Sequence, residues 1–332
     1  MSTGKLLATQ GYVVGIEISG SGARQSVALA DLNGKILYRL RRSLDDVPDT
    51  SAALSVLDTM LAEVTHPDRL PDGRLLRVGV AIGGLVDATR GVVRTLYHAH
   101  GWDNFPLQDY FAERLAVPCI IDNNANAAAL AEVQHGIGEG ERIVLYVGLG
   151  RGIGGALVVN ERIYHGMTCT AGEIGHLLVQ EDGPLCSCGG HGHLEALASA
   201  QAIVKAMLTL ANEYPETLAT IKRITNDQVT ELSAEQVFLL AAEGDSIAQH
   251  IVSQVHHYLG TALVNIVHLI NPSVIILGGS VAQAGDLLIA PLRERVQQLC
   301  LPAAYEPLRI VQGSLGSDAN LVGAVTLALQ DL

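Results

Sequence analysis

Two α/β domains of similar design are what this sequence predicts, on three observations. Apolar strands joined by tight turns open the chain and recur in its middle. Each set is followed by strands that alternate with helical stretches. Three glycine-rich loops, "GIEISGSG" (15–22), "GLGRGIGG" (148–155) and "ILGGSV" (276–281), each follow an apolar strand directly. One such loop is a weak signal, since a tight β-hairpin uses glycine for the same reason. Three loops at strand ends point to backbone N–H groups brought close to a ligand.

The elements follow in order. "GYVVGIEIS…SVALADLNGKILYRLRRSL" reads as two or three strands, with Asn33-Gly34 as a hairpin turn. A helix is expected at about 50–66. "LLRVGVAIGGLVD" is an apolar strand ending in glycines, 106–115 is helical, and "VPCIIDNN" is a buried strand. "ANAAALAEVQHG" is a helix with Gly136 near its end. "RIVLYVGLGRGIGGALVVNERIYHG" gives two strands around the glycine loop and a turn at Asn160. A Cys/His-rich loop occupies 181–193, and 195–271 is mostly helical. "PSVIILGGSV" is a further buried strand. The last helix, in "SDANLVGAVTLALQ", is expected to take Ser317 or Asp318 as its N-cap.

Composition bounds the function. Of 332 residues, 48% are hydrophobic and 17% charged, enough for large cores and against disorder. A net charge of −13 argues against broad binding to nucleic acid, which needs clustered Lys and Arg. No basic helix-turn-helix pattern precedes Tyr12. The start lacks a signal-peptide core, and no run of 18 apolar residues exists to cross a membrane. The five cysteines, Cys119, Cys169, Cys186, Cys188 and Cys300, fit a reducing cytoplasm better than a disulfide framework.

Two clusters carry chemistry. "IIDNNANAAALAE" (120–132) places Asp122, Asn123, Asn124 and Asn126 where a strand gives way to a helix, the usual place for a site in an open α/β sheet. "GEIGHLLVQEDGPLCSCGGHGHLEA" gathers His176, Cys186, Cys188, His191 and His193, donors that suit tetrahedral zinc. His176, Cys186, Cys188 and His193 are the expected ligands, with His191 competing for the fourth place. Free thiols are the plain alternative. Glu173 and Glu195 flank that loop, carboxylates that could accept hydrogen bonds from a ligand's hydroxyls. For Glu195, an acid in a first helical turn is the plain alternative.

These residues together resemble the ROK family, named for repressors, open reading frames and sugar kinases. The likeness runs from about Gly11 to the end. It is carried by "AGEIGH" (171–176), "CSCGGHGHLE" (186–195), "GGLVDATRGVV" (83–93), "GWDNFPL" and "NPSVIILGGSV". The family's C-x-C-G-x-x-G-C-x-E has His193 here in place of its third cysteine. The resemblance implies two actin-like, hexokinase-like (RNase H-like) α/β domains around a sugar-binding cleft. The expected division is 1–122, completed by a helix at about 317–332, and 123–316.

The resemblance also bears on catalysis. Kinases of the family use D-x-G-G-T, where this chain has Glu17, Ser19, Gly20 and Ser21. Their second phosphate loop, G-T-G-x-G, falls on Gly150, Arg151 and Gly152, and the last glycine turn on Gly278 and Gly279. Their catalytic aspartate, in E-N-D-A-N, falls on Asn124. An amide cannot take a proton from a sugar hydroxyl, a role typically worth 10²–10⁴-fold. Asp122 lies two residues earlier and is not expected to replace it. The sugar contacts carry over as Gly84, His98, Asn123, Asn124, Glu173, His176 and Glu195, with His98 at the place of a family asparagine.

The expected function is therefore the sugar-sensing domain of a ROK-type regulator, without kinase activity and with structural zinc. An ATP- and Mg²⁺-dependent kinase for hexose or N-acetylhexosamine is the alternative. The resemblance implies a sugar or amino sugar as ligand, a homodimer or homotetramer, and operator DNA bound only through an N-terminal head that these residues do not contain. No membrane partner is expected.

Overall fold

The computed structural model describes residues 11–44, 49–69 and 74–332. The expectation that no DNA-binding or signal segment precedes the first strand concerns residues 1–10, which lie outside the described residues.

The chain divides into two compact units. The first runs to Glu139 and takes in Glu161–Ala171 and Asp318–Leu332; the second is Gly140–Asn160 with Gly172–Ser317. The first division therefore falls after Glu139, not after residue 122. The reason is packing: the helix α3 (Asn124–His135) lies on the C-terminal helix α11 (Ala319–Leu329), with Leu130 and Ala127 against Ala324 and Leu327.

In the first unit, β1 (Gly11–Ile18), β2 (Arg24–Asp31) and β3 (Ile36–Ser43) form an antiparallel meander, and β4 (Arg74–Ile82) and β7 (Cys119–Asn123) extend it in parallel. The strand order is β3-β2-β1-β4-β7. The Asn33-Gly34 turn forms as expected: Gly34 takes φ +81°, and Asp31 Oδ1 accepts from the N–H groups of Asn33 and Lys35. Alternate side chains separate onto two faces. Val14, Ile16, Leu29, Val80 and Ile121 pack with the helix α1 (Thr50–Val64) and with Trp102 and Phe111. Val13, Ala28 and Ala30 meet Leu321, Val325 and Ala328 of the C-terminal helix. Glycines let that helix lie close. A Cβ on Gly79 would come 2.0 Å from the Ala324 carbonyl oxygen, and one on Gly15 would come 2.8 Å from the Val325 nitrogen.

The start of α11 departs from expectation. Asp318 stands at the N-cap, yet its carboxylate does not cap the helix. It accepts instead from Arg39, at 2.7 Å, and from Arg41, both on β3. Two guanidinium donors outcompete backbone N–H groups for one carboxylate.

In the second unit, β8 (Ile143–Leu149) and β9 (Ile153–Val159) form a hairpin, and β11 (Val274–Gly278) and β12 (Arg309–Gln312) run parallel beside β8. The expected helical stretch resolves into Leu194–Ala198, Ala200–Ala211, Pro215–Ile224, Ala234–Ala242 and a long helix, Ser246–Ile270. The long helix is capped at its start by Asp245, which accepts from Ile247 and Ala248, and it stops at left-handed Asn271 before Pro272. Its Ile251, Val255, Leu259 and Leu263 pack over Leu145, Val147, Ile275 and Leu277 of the sheet.

Strand register places the candidate residues. Ile18 pairs with Ile82 and Ile82 with Asn123, so the chain leaves the carboxyl ends of β1, β4 and β7 side by side. In the second unit Gly278 pairs with Gly148, which sets the "GGS" turn beside the "GLGRG" loop.

Candidate functional sites in the two units

The first unit holds the Asn turn. Asn123 is the N-cap of α3: its Oδ1 accepts from Ala125 N–H at 2.7 Å, and its Nδ2 donates to the Gly84 carbonyl at 2.6 Å. Gly84 has φ +87°, and a Cβ there would lie 2.4 Å from the Thr95 carbonyl oxygen, so glycine is required. One Asn123 N–H remains for a ligand. Asn124, the next residue, is half-buried, and its amide makes no side-chain hydrogen bond among the described residues. His98 lies half-buried in the turn after Val92–Thr95.

Asp122 is committed elsewhere. It is 3% exposed, and its Oδ1 accepts from Asn123 N–H (2.7 Å) and from Asn126 Nδ2 (2.8 Å). Its Oδ2 meets Nε2 of His165 at 2.7 Å. The Asp122 bond raises the His165 pKa above the ordinary imidazole value. Nothing in the sequence around Asp122 announces His165, which lies 43 residues away.

The carboxylate at the first glycine loop is equally occupied. Glu17 is buried, accepts from Ser26 Oγ at 2.8 Å on the next strand, and faces Asn320 Nδ2 at 3.3 Å. Ser19 Oγ accepts from Arg24 N–H (3.0 Å) and touches Ser21 Oγ (3.4 Å). Gly20 and Gly83 are packed backbone to backbone: a Cβ on Gly83 would lie 2.4 Å from the Gly20 Cα.

The second unit holds the Cys/His loop. One donor atom each from His176, Cys186, Cys188 and His193 lies within 4.8 Å of all the others. Cys186 Sγ is 3.7 Å from His176 Nδ1, and Cys188 Sγ is 3.2 Å from His193 Nδ1. Bond lengths near ~2.3 Å to sulfur and ~2.0 Å to nitrogen require donor separations close to these. His191 is turned away: its Nδ1 meets the Gly183 carbonyl at 3.2 Å. The donor set fits zinc. Burial holds the His176 pKa below the ordinary value, which favours the neutral ring a metal needs.

The other nitrogen of His176, Nε2, lies 4.0 Å from Glu173 Oε2. The ring thus joins the Cys/His group to an acid. Burial, and next the charge of Glu195, push Glu173 up to about 7. Glu195 stands in the first turn of a short helix but serves other segments. It accepts from Ile153 N–H of the glycine loop at 2.9 Å and from Ser187 Oγ of the Cys/His loop at 2.8 Å. Gly152 leaves it room, since a Cβ there would come 2.3 Å from Glu195 Oε2. Arg151 is exposed beside it, and Gly279 packs on Leu149, where a Cβ would be 2.4 Å from the carbonyl oxygen. The Ser187 bond is one the sequence reading missed, since a lone serine between two cysteines gives no signal.

The comparisons agree with this architecture. The ROK family model matches residues 13–331. A glucokinase of Halalkalibacterium halodurans is 36% identical over 259 residues, 77% of each chain. The structure of a ROK family glucokinase from Streptomyces griseus, in complex with glucose and AMPPNP, superposes with a TM-score of 0.83 at 28% identity, covering 96% of this chain and all of that one. A ROK family transcriptional regulator, a homologue of the E. coli MLC protein, superposes with a TM-score of 0.84 at 25% identity, covering 96% of this chain and 78% of that one. With its two α/β units, its Cys/His loop and a family match along nearly its whole length, the chain belongs to the ROK family.

Proposed function

We propose that this chain binds a sugar as the effector-sensing part of a ROK-type transcriptional regulator and does not phosphorylate it. The observation that carries the reading is the Asn turn. Where kinases of the family place an aspartate, Asn124 offers an amide, which donates and accepts but takes no proton. The neighbouring carboxylates do not replace it. Asp122 is engaged by Asn123, Asn126 and His165, and Glu17 is held by Ser26. Asn124, Asn123 and His98 are the sugar-binding candidates of the first unit; Glu173, His176 and Glu195 are those of the second. A zinc ion held by His176, Cys186, Cys188 and His193 would fix the His176 ring, so that Nε2 keeps its direction. Glu173, with its raised pKa, would carry a proton near neutrality and donate as well as accept.

The identity to glucokinases favours a second reading, an ATP-dependent sugar kinase with an altered base. Two measurements separate them. Calorimetric titration with glucose, xylose and N-acetylglucosamine is expected to give saturable binding with at least one sugar. A coupled ADP-release assay with the same sugars is expected to stay at background. Robust turnover would sink the sensor reading. Metal analysis is expected to return one zinc per chain, and its absence with reduced Cys186 and Cys188 would remove the zinc.

A further inference from the structure

Asp122 and His165 form a pair that neither the Asn turn nor the Cys/His loop explains. The segment Glu161–Ala171 belongs to the first unit, although the chain on both sides of it belongs to the second. It starts at the turn of Asn160 and Glu161 (φ +50° and +64°), pairs β10 (Arg162–Ile163) with β9, and ends at Gly172 (φ +89°). His165 ties this segment to the end of β7. The same Asp122 carboxylate holds the Asn123 N–H and the Asn126 side chain, and Asn124 lies between those two residues. One buried acid therefore joins the strap to the turn. The His165 side chain keeps 31% of its surface exposed and so exchanges protons with solvent, while that of Asp122 keeps 4%.

We propose that His165 is a positioning residue for the Asn123–Asn124 turn, acting through Asp122, so that sugar affinity depends on the charge of its imidazole. This inference rests on the reading of the turn as sugar-binding. A neutral imidazole still donates from Nε2, but a charged one makes the stronger bond. Asp122 is the charged group that acts on His165, and the donors on Asp122 other than His165 are uncharged. The sign follows from the raised pKa. The charged pair is complete below the ordinary imidazole value and is lost as pH rises through the higher folded value.

The test is the affinity for glucose, xylose and N-acetylglucosamine, titrated from about pH 5.5 to 9 with zinc-loaded protein. For the sugar that binds, Kd is expected to rise about fivefold across the range. His165→Gln keeps an N–H donor without a titratable ring, and should remove the His165 share of the slope, leaving only the share that Glu173 contributes. Asp122→Asn should remove the same share, and Asp122→Glu, which restores a carboxylate, should bring it back. Binding with a flat wild-type profile, or a His165→Gln profile that superposes on the wild type, overturns the positioning role and leaves the sugar reading standing. No binding at any pH overturns the sugar reading, and the positioning role with it.

Discussion

At the scale of single residues, adjacent asparagines differ in what holds them. Asn123 is N-cap and donor to Gly84, whereas the Asn124 amide makes no side-chain hydrogen bond among the described residues. Alanine at the two positions should therefore fail differently. Asn123→Ala is expected to cost about 1 kcal/mol of stability through the lost cap, read by urea denaturation. Asn124→Ala should leave the denaturation midpoint in place and weaken sugar binding about five- to tenfold, read by calorimetry. The reverse pattern would exchange their roles. The sequence names both as polar residues at a strand end. It does not say which amide is already spent, because Gly84 comes from another strand end. His165 was hidden for the same reason: its bond to Asp122 joins residues whose separation follows no helical or strand period.

At the scale of elements, the order of strands and helices was legible because its signals are local. The Asn-Gly turn, the apolar runs of five to nine residues and the glycine after Val133–His135 all act within a few positions. The cap of α11 was not legible, since Arg39 and Arg41 are nearly 280 residues from Asp318. The boundary of the first unit was missed because α3 belongs where its contacts are, against α11. That helix depends on glycine beneath it. Gly79→Ala would drive a methyl group into the Ala324 backbone, which cannot rotate aside as a side chain can. The expected cost is about 3 kcal/mol, the upper part of the range for overpacking, measured by chemical denaturation. A change under 0.5 kcal/mol would show that the helix sits less tightly than described.

At the scale of the whole molecule, each unit has its own core. The single tryptophan, Trp102, is fully buried in the first, so its fluorescence reports on that unit. Most of the helical residues lie in the second and dominate the far-ultraviolet dichroism. With the zinc proposed for the Cys/His loop in place, a chelator is expected to lower the dichroism midpoint while the Trp102 transition stays put. Coincident shifts of both signals would mean that the two cores melt together. Among the described residues no helix is long and apolar enough to cross a membrane.

The return of the last helix to the first unit also bears on how the protein is made. The second unit closes with residue 317, while the first waits for Asp318–Leu332 to cover Gly15 and Gly79. On the ribosome, the part of the chain synthesised first would thus be the last to finish, with one sheet face uncovered until Asp318–Leu332 has emerged. A chain cut just before Asp318 would spare the second unit and strand the first as a target for chaperones.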